Sequence, residues 1–244
     1  MGQVTVAIAD PGDPFAGTAL SRLGHELRGP LAGIIGLTKI MGRKLADGAT
    51  DAAQQARQLD MINNSAAELL ATVERIVTLA RTADAGRRLE PVDCRAVCEQ
   101  AVTATAAAAD QHHRGVRLQL PPSPVSGLAN HDDLCDAVTE LLDNAIKYAD
   151  GPSVRLTVHA DGPAIEISDD GPGLAGDERE RVFLPFERGR AAREGDVAGT
   201  GLGLPLAVRH ARRCGAGLAV RTGSAGTTCT LTLAPLVTGH GRET

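Results

Sequence analysis

Aromatic residues are scarce: the 244 residues include no tryptophan, one tyrosine and three phenylalanines. Long apolar runs are missing too. The longest, residues 30–41, contains Lys39 and glycine breaks and falls well short of the roughly 20 residues a bilayer span needs, so no membrane span is expected. No basic start leads into an apolar segment at the N-terminus, where Asp10 and Asp13 stand instead. A secretory signal is therefore not read, and the chain is expected to stay in the cytoplasm. There is no excess of positive charge, with 25 Lys and Arg against 30 Asp and Glu for a net −5. The basic residues are scattered, which argues against nucleic acid as a partner. Five cysteines, at positions 94, 98, 135, 214 and 229, are an odd number in no zinc spacing and read as reduced and structural. His131 and Cys135 lie one helical turn apart and could share a metal, but no other ligands converge on them. His112-His113 reads as a solvated helix end. The length suffices for one ordinary domain plus a smaller one, each with a core.

Residues 1–17 hold a short alternating run, Val4-Thr5-Val6-Ala7-Ile8, and then Asp-Pro-Gly-Asp-Pro, which forbids continuation of a regular element. This segment is read as a short N-terminal arm. From Leu20 an apolar stripe runs through Leu23, Leu27, Leu31, Ile34, Leu37 or Thr38, Met41 and Leu45 to the helix-ending Asp47-Gly48. A second stripe, Leu59, Ile62, Ala66, Leu69, Val73, Ile76 and Ala80, follows a cap at Thr50 or Asp51 and is expected to end near Ala83. The spacing predicts an antiparallel helical hairpin over 18–86, with too little partner surface to bury both stripes. Dimerisation into a four-helix bundle is the simplest remedy; packing of the hairpin on the C-terminal domain is the alternative. Gly86-Arg87-Arg88 reads as the boundary. Over 87–244 the texture alternates: a helix over 93–112, a strand over 115–120, a helix over 132–148, strands over 153–159 and 164–168 joined at Asp161-Gly162, a helix over 204–214, and closing strands over 218–222 and 227–233. The fold class is therefore α+β, a helical hairpin followed by an α/β sandwich.

His25 lies about 200° around the first helix from the stripe residue Leu27, so it projects away from the hairpin seam and is expected to be exposed. Its neutral nitrogen is a nucleophile near neutral pH, and Glu26 is placed to take the opposite ring N–H. Both residues could equally be ordinary solvated surface groups. Pro30 cannot donate to the Glu26 carbonyl and is expected to bend the helix. On the helix 132–148, Glu140 and Asn144 share a face with Lys147 and Tyr148 just beyond, while Leu141, Leu142 and Ala145 can face a core. An amide oxygen suits magnesium and a lysine suits phosphate. Asp169-Asp170-Gly171-Pro172-Gly173 follows an apolar strand, placing a carboxylate fit for a purine amine ahead of a tight turn; a plain strand-ending turn is the bland alternative. Gly199-Thr200-Gly201-Leu202-Gly203-Leu204 opens a helix, where backbone N–H groups and the dipole can hold phosphate oxygens. A dinucleotide reading fails because no parallel βαβ unit precedes it. Between the two loops stand Phe183, Phe186, Glu187 and Arg188 and a polar stretch over 189–198, which suit an apolar latch at the base of a mobile lid, or ordinary core packing.

In order and spacing these segments resemble the catalytic core of bacterial sensor histidine kinases of two-component signalling, over about residues 18–235. The resemblance implies a dimeric hairpin, 18–86, bearing the phosphoacceptor His25 with Glu26 beside it, and an ATP-binding domain of the Bergerat fold, 87–244. It implies ATP and Mg2+ as cofactors, with Asn144 and Glu140 at the metal. Lys147, Tyr148 and Arg188 would meet the nucleotide, Asp169 would read adenine, and Gly171 and Gly173 would form the first glycine box. Phe183 and Phe186 would form the phenylalanine box, and Gly199, Thr200, Gly201, Leu202, Gly203 and Leu204 the second glycine box at the phosphates. The expected reaction is autophosphorylation of His25, followed by transfer to an aspartate of a response-regulator receiver domain.

Three departures from the family pattern carry expectations. Gly29 stands where most such kinases have threonine or asparagine, leaving no side chain to orient a hydrolytic water, so phosphatase activity is expected to be weak. Glu140 stands where many have asparagine, which keeps open a Bergerat-type ATPase that uses Glu140 on water. Only about 17 residues precede the hairpin, so input is expected from a separate sensor protein, an arm contact or a small ligand. A non-catalytic ATP-binding dimeric adaptor is the remaining alternative.

Overall fold

Apolar residues three and four apart wind the N-terminal third into two long helices, α1 (Ala19–Ala46) and α2 (Ala52–Ala80). The computed structural model describes residues 4–7, 19–47, 51–80, 88–194 and 199–236. Thr50, the end of the second helix near Ala83, the boundary at Gly86-Arg87 and part of 189–198 lie outside them. Asp51 caps α2, its Oδ1 accepting from Ala53 N at 3.0 Å and Gln54 N at 3.4 Å. Lys44 Nζ donates to Gln54 Oε1 across the end of the hairpin, and Gly33 faces Ser65 near its middle. Despite Pro30, α1 runs unbroken. Among the described residues no helix is long and apolar enough to cross a membrane.

The two stripes are only partly covered. Leu23, Leu27, Ile34, Leu37, Met41, Ile62, Leu69 and Ile76 are half-buried. Leu31 remains 46% exposed, Leu59 50% and Val73 40%. On α2 the side turned inward is Gln58, Ser65, Thr72 and Leu79, one position before the expected Leu59, Ala66, Val73 and Ala80, and Thr72 and Leu79 are fully buried.

Residues 13–81 form one compact unit, and the rest of the chain forms the other. In the second unit β2 (Glu90–Asp93), α3 (Cys94–Ala104), α4 (Ala106–Gln111), β3 (Gly115–Gln119), β4 (Ser126–Ala129), α5 (His131–Tyr148), β5 (Ser153–His159) and β6 (Ala164–Ser168) follow one another. A 3-10 turn (Arg181–Phe183), α6 (Arg190–Glu194), α7 (Gly203–Arg213), β7 (Gly217–Gly223), β8 (Gly226–Thr232) and β9 (Ala234–Pro235) complete it. The N-terminal run forms β1 (Val4–Ala7), which pairs antiparallel with β7, Val4 opposite Thr222 and Ala7 opposite Ala219. The main sheet has the order β1-β7-β8-β6-β5-β3, with β3 and β5 parallel and every other pair antiparallel. A small sheet, β2-β4-β9, stands apart.

Alternation on the strands makes this sheet one-sided. Val154, Leu156, Val158, Ile165 and Ile167 are buried among Leu134, Leu141, Leu142 and Ile146 of α5 and the apolar faces of α3 and α7, while Arg155 and His159 on the opposite face are exposed.

Two further expectations need correction. The single helix over 93–112 is two helices, parted at Thr105, whose hydroxyl donates to the Ala101 carbonyl at 2.8 Å and competes with continuation of the ladder. The expected strands omit β2, β4 and β9, which are two to four residues long and too short to show a period.

Candidate functional site

His25 sits on the exposed side of α1 and, among the described residues, makes no hydrogen bond or ion pair. A phosphoryl donor can therefore reach its ring nitrogens. Glu26 is half-buried and about 100° further around the helix, and no bond joins it to His25 among the described residues. The expected contact is not made in this rotamer. Around Gly29 there is open space: a Cβ built there meets no atom within 4 Å.

In the other unit, α5 and α7 meet at a glycine. A Cβ on Gly203, at the start of α7, would stand 2.8 Å from Asn144 Nδ2 and 3.0 Å from Oδ1. Only glycine lets the loop lie on that amide. Asn144 Nδ2 and Thr200 Oγ1 are buried without a hydrogen-bond partner among the described residues, a costly state that a polar ligand relieves. Glu140 lies one turn before Asn144 on the same helix and is half-buried. Lys147 is held by Asp143 one turn earlier, so it meets a phosphate only by leaving that pair.

Asp169 closes β6. Its Oδ1 accepts from Gly171 N at 2.9 Å and Thr227 N at 3.2 Å, which leaves Oδ2 for a donor on a ligand. Burial pushes its carboxyl up to about 6, helped by the nearby Asp170 and Asp150, while the two N–H bonds pull the other way. A Cβ on Gly173, at φ +67°, would clash with the Gly223 carbonyl and crowd Thr222 Oγ1. The next residue, Leu174, donates its N–H to the same hydroxyl at 2.8 Å. Gly171 lies tight against the Tyr148 carbonyl at the end of α5, so the first glycine turn is wedged between α5 and β7.

The phenylalanines separate. Phe183 belongs to the main core, as the plain packing alternative has it. Phe186 is also buried but adopts φ +63°, which is strained for a non-glycine residue, and its N–H donates to the Gly201 carbonyl at 3.1 Å. Gly201, at φ +70°, accommodates that approach, since a Cβ there would meet the Glu187 carbonyl at 2.7 Å. Tyr148 joins the same cluster: a Cβ on Gly199 would stand 3.9 Å from its hydroxyl. Burial raises the Tyr148 phenol, while the hydrogen-bonded Arg188 guanidinium opposes that shift. Arg188 also donates to the Ala192 carbonyl at 2.8 Å. Leu202 is fully buried, so only its backbone can meet a ligand, while Leu204 is half-buried against the core. The structure thus gathers Asn144, Tyr148, Gly171, Phe186, Arg188, Gly199, Gly201 and Gly203 around the facing ends of α5 and α7.

The sequence reading missed Thr222, Thr227 and Glu178. Thr227 acts through a backbone N–H, which leaves no side-chain signal, and a buried acidic residue looks in sequence like any exposed one.

Residues 16–84 match the family described as the His Kinase A (phospho-acceptor) domain, and residues 129–236 match the family of histidine kinase-, DNA gyrase B-, and HSP90-like ATPases. The chain carries the catalytic core of a two-component sensor histidine kinase. Relatives include the sensor histidine kinase CpxA of Escherichia coli, 28% identical over 77% of this chain and 40% of its own, and the probable sensor histidine kinase TcrY of Mycobacterium tuberculosis, 34% identical over 75% and 38%. The chain thus spans about two fifths of the length of these curated relatives. Among solved structures, full-length ShkA in complex with AMPPNP matches with TM-score 0.61 and 27% identity over 88% of this chain and 46% of its own. The histidine kinase AdeS of Acinetobacter baumannii shares the fold, with TM-score 0.62 and 22% identity over 86% of this chain and 97% of its own. The α/β sandwich is accordingly a Bergerat fold.

The pocket of this histidine kinase core fits ATP. The orphaned Thr200 hydroxyl and the glycine-lined start of α7 suit phosphate oxygens. The uncommitted Oδ2 of Asp169 suits a purine amine. Magnesium fits more narrowly: Asn144 Oδ1 and the Glu140 carboxylate are hard oxygen donors one turn apart.

Proposed function

We propose that this chain phosphorylates His25 from magnesium-ATP and passes the phosphoryl group to an aspartate of a response-regulator receiver domain. The observation that carries the reading is the pairing, in one chain, of an exposed His25 on a phospho-acceptor hairpin with a glycine-lined pocket, where neither His25 nor the buried Asn144 Nδ2 and Thr200 Oγ1 has a hydrogen-bond partner among the described residues. A magnesium ion held by Asn144 and Glu140 would offset the charge of the phosphates. Asp169 orients the base, and the N–H groups of 199–203 hold the phosphate tail. A neutral ring nitrogen of His25 gives its lone pair to the γ-phosphorus, the bond to the bridging oxygen breaks, and ADP leaves with that electron pair. Glu26, after a change of rotamer, takes the proton from the opposite ring nitrogen as positive charge develops there.

The reading extends to a homodimer working in the cytoplasm. A second hairpin would cover Leu31, Leu59, Leu70, Val73 and Val77, all left exposed in one protomer. Weak phosphatase activity follows from Gly29. Incubation with γ-labelled ATP and magnesium tests the reading against its rivals. Acid-labile label that His25→Gln abolishes supports the kinase. Binding without label supports an adaptor, and phosphate release that survives His25→Gln but not Glu140→Gln supports a water-directed ATPase.

A further inference from the structure

In the loop between the first glycine turn and the phenylalanines, Glu178 is buried, at 7% exposure. Its two oxygens serve different segments. Oε2 accepts from Ala175 N at 3.3 Å, two residues beyond the first glycine turn. Oε1 accepts from Arg190 N, the first residue of α6, and lies 3.7 Å from Arg193 Nη2 on the same helix. Arg190 is further drawn to this loop by Asp177, at 3.6 Å. Burying a carboxylate is costly unless its charge is met by donors, and these three donors come from two segments, the loop after the first glycine turn and α6. α6 follows on Arg188, which bonds Tyr148, and the Tyr148 hydroxyl lies 3.9 Å from where a Cβ on Gly199 would stand, at the glycine-lined end of the pocket suited to phosphate. The first glycine turn has its own anchor, since Leu174 N donates to the fully buried Thr222.

We propose that Glu178 is a positioning residue that fastens the root of α6 to the first glycine loop and thereby sets affinity for the polyphosphate end of the nucleotide. This rests on reading the pocket as an ATP site. Glu178 touches neither base nor phosphate; it acts through the placement of Arg188 and α6. The adenine end, held by Asp169 and braced by Thr222, is independent of it. Glutamine at 178 keeps the shape but loses the charge, and its amide sets a donor against the N–H of Ala175 or Arg190.

The test is displacement of a fluorescent nucleotide from the full chain by ATP and, separately, by AMP, alongside the melting temperature and the rate of His25 labelling. For Glu178→Gln the expected result is ATP affinity weakened roughly tenfold, the scale of one charged hydrogen bond, with AMP affinity within about twofold of wild type. The ATP concentration needed for half-maximal labelling should rise in parallel, while the rate at saturating ATP holds. Thr222→Val, which loosens the glycine turn, should weaken ATP and AMP together. Equal weakening of ATP and AMP by Glu178→Gln, or no change in either, would overturn the proposal. If that variant does not fold, Arg193→Gln decides: a smaller loss confined to ATP supports the proposal, and none refutes it. Wild-type protein that binds nucleotide but leaves His25 unlabelled would remove the kinase reading and leave this one standing, whereas wild-type protein that binds no nucleotide would remove both.

Discussion

Asp169 and Gly29 carry the most at the scale of single residues. An adenine amine donates to an ionised carboxylate, and burial holds the Asp169 carboxyl near 6. Because this value lies above the usual carboxylate range, nucleotide affinity should be steady above pH 7 and fall as the pH drops through about 6. Titration of nucleotide binding between pH 7.5 and about 5 checks this, and Asp169→Asn should bind weakly with a flatter profile. The same shift predicts a small loss of apoprotein stability as pH rises from about 4 to 6, where the folded state keeps a proton that the unfolded chain releases. At Gly29 the space is open, so Gly29→Ala should stabilise the hairpin by up to about 1 kcal/mol through helix propensity alone, measured by thermal unfolding. Gly29→Thr should raise dephosphorylation of the phosphorylated receiver several-fold; unchanged dephosphorylation would mean that Gly29 is not what limits it. The place of Asp169 at a strand end before a glycine turn was legible in the sequence. The two backbone donors that hold its Oδ1 were not, because N–H groups from Gly171 and Thr227 leave no mark on side-chain chemistry.

At the scale of elements, the hairpin was legible because its stripes hold the helical period for many turns, and α5 because Leu141, Leu142 and Ala145 fall on one apolar face, which is buried. Which flank of α2 turns inward was not. Ser65, Thr72 and Leu79 face in, while Leu59 and Val73 stay out. A polar Ser or Thr beside an apolar stripe gives no warning that it takes the inner position. The exposed row gives a prediction for the element: Leu59→Asp with Val73→Asp should weaken self-association at least about tenfold by analytical ultracentrifugation, with the catalytic unit's nucleotide affinity unchanged. An unaltered dimer would move the interface elsewhere. The break between α3 and α4 escaped because the Thr105 hydroxyl turns back on its own helix, a choice propensity alone does not reveal.

For the whole molecule, the one-sided sheet was legible from the alternating β5 and β6, but its edge was not. A four-residue run at the N-terminus and a strand near the C-terminus meet as β1 and β7, and nothing local in Val4–Ala7 names its partner. The pocket is likewise a product of assembly: Asn144, Tyr148, Gly171, Arg188, Gly199 and Gly203 come from separate segments and meet because α5 and α7 pack on the same face. The central claim, that this pocket serves the histidine on the other unit, is tested most directly by acid-labile labelling of the full chain with γ-labelled ATP and magnesium, wild type against His25→Gln. The account predicts stoichiometric label on wild-type protein and none on the variant, with equal nucleotide binding by both. Label that persists without His25, or a wild-type chain that binds ATP and stays unlabelled, would contradict it.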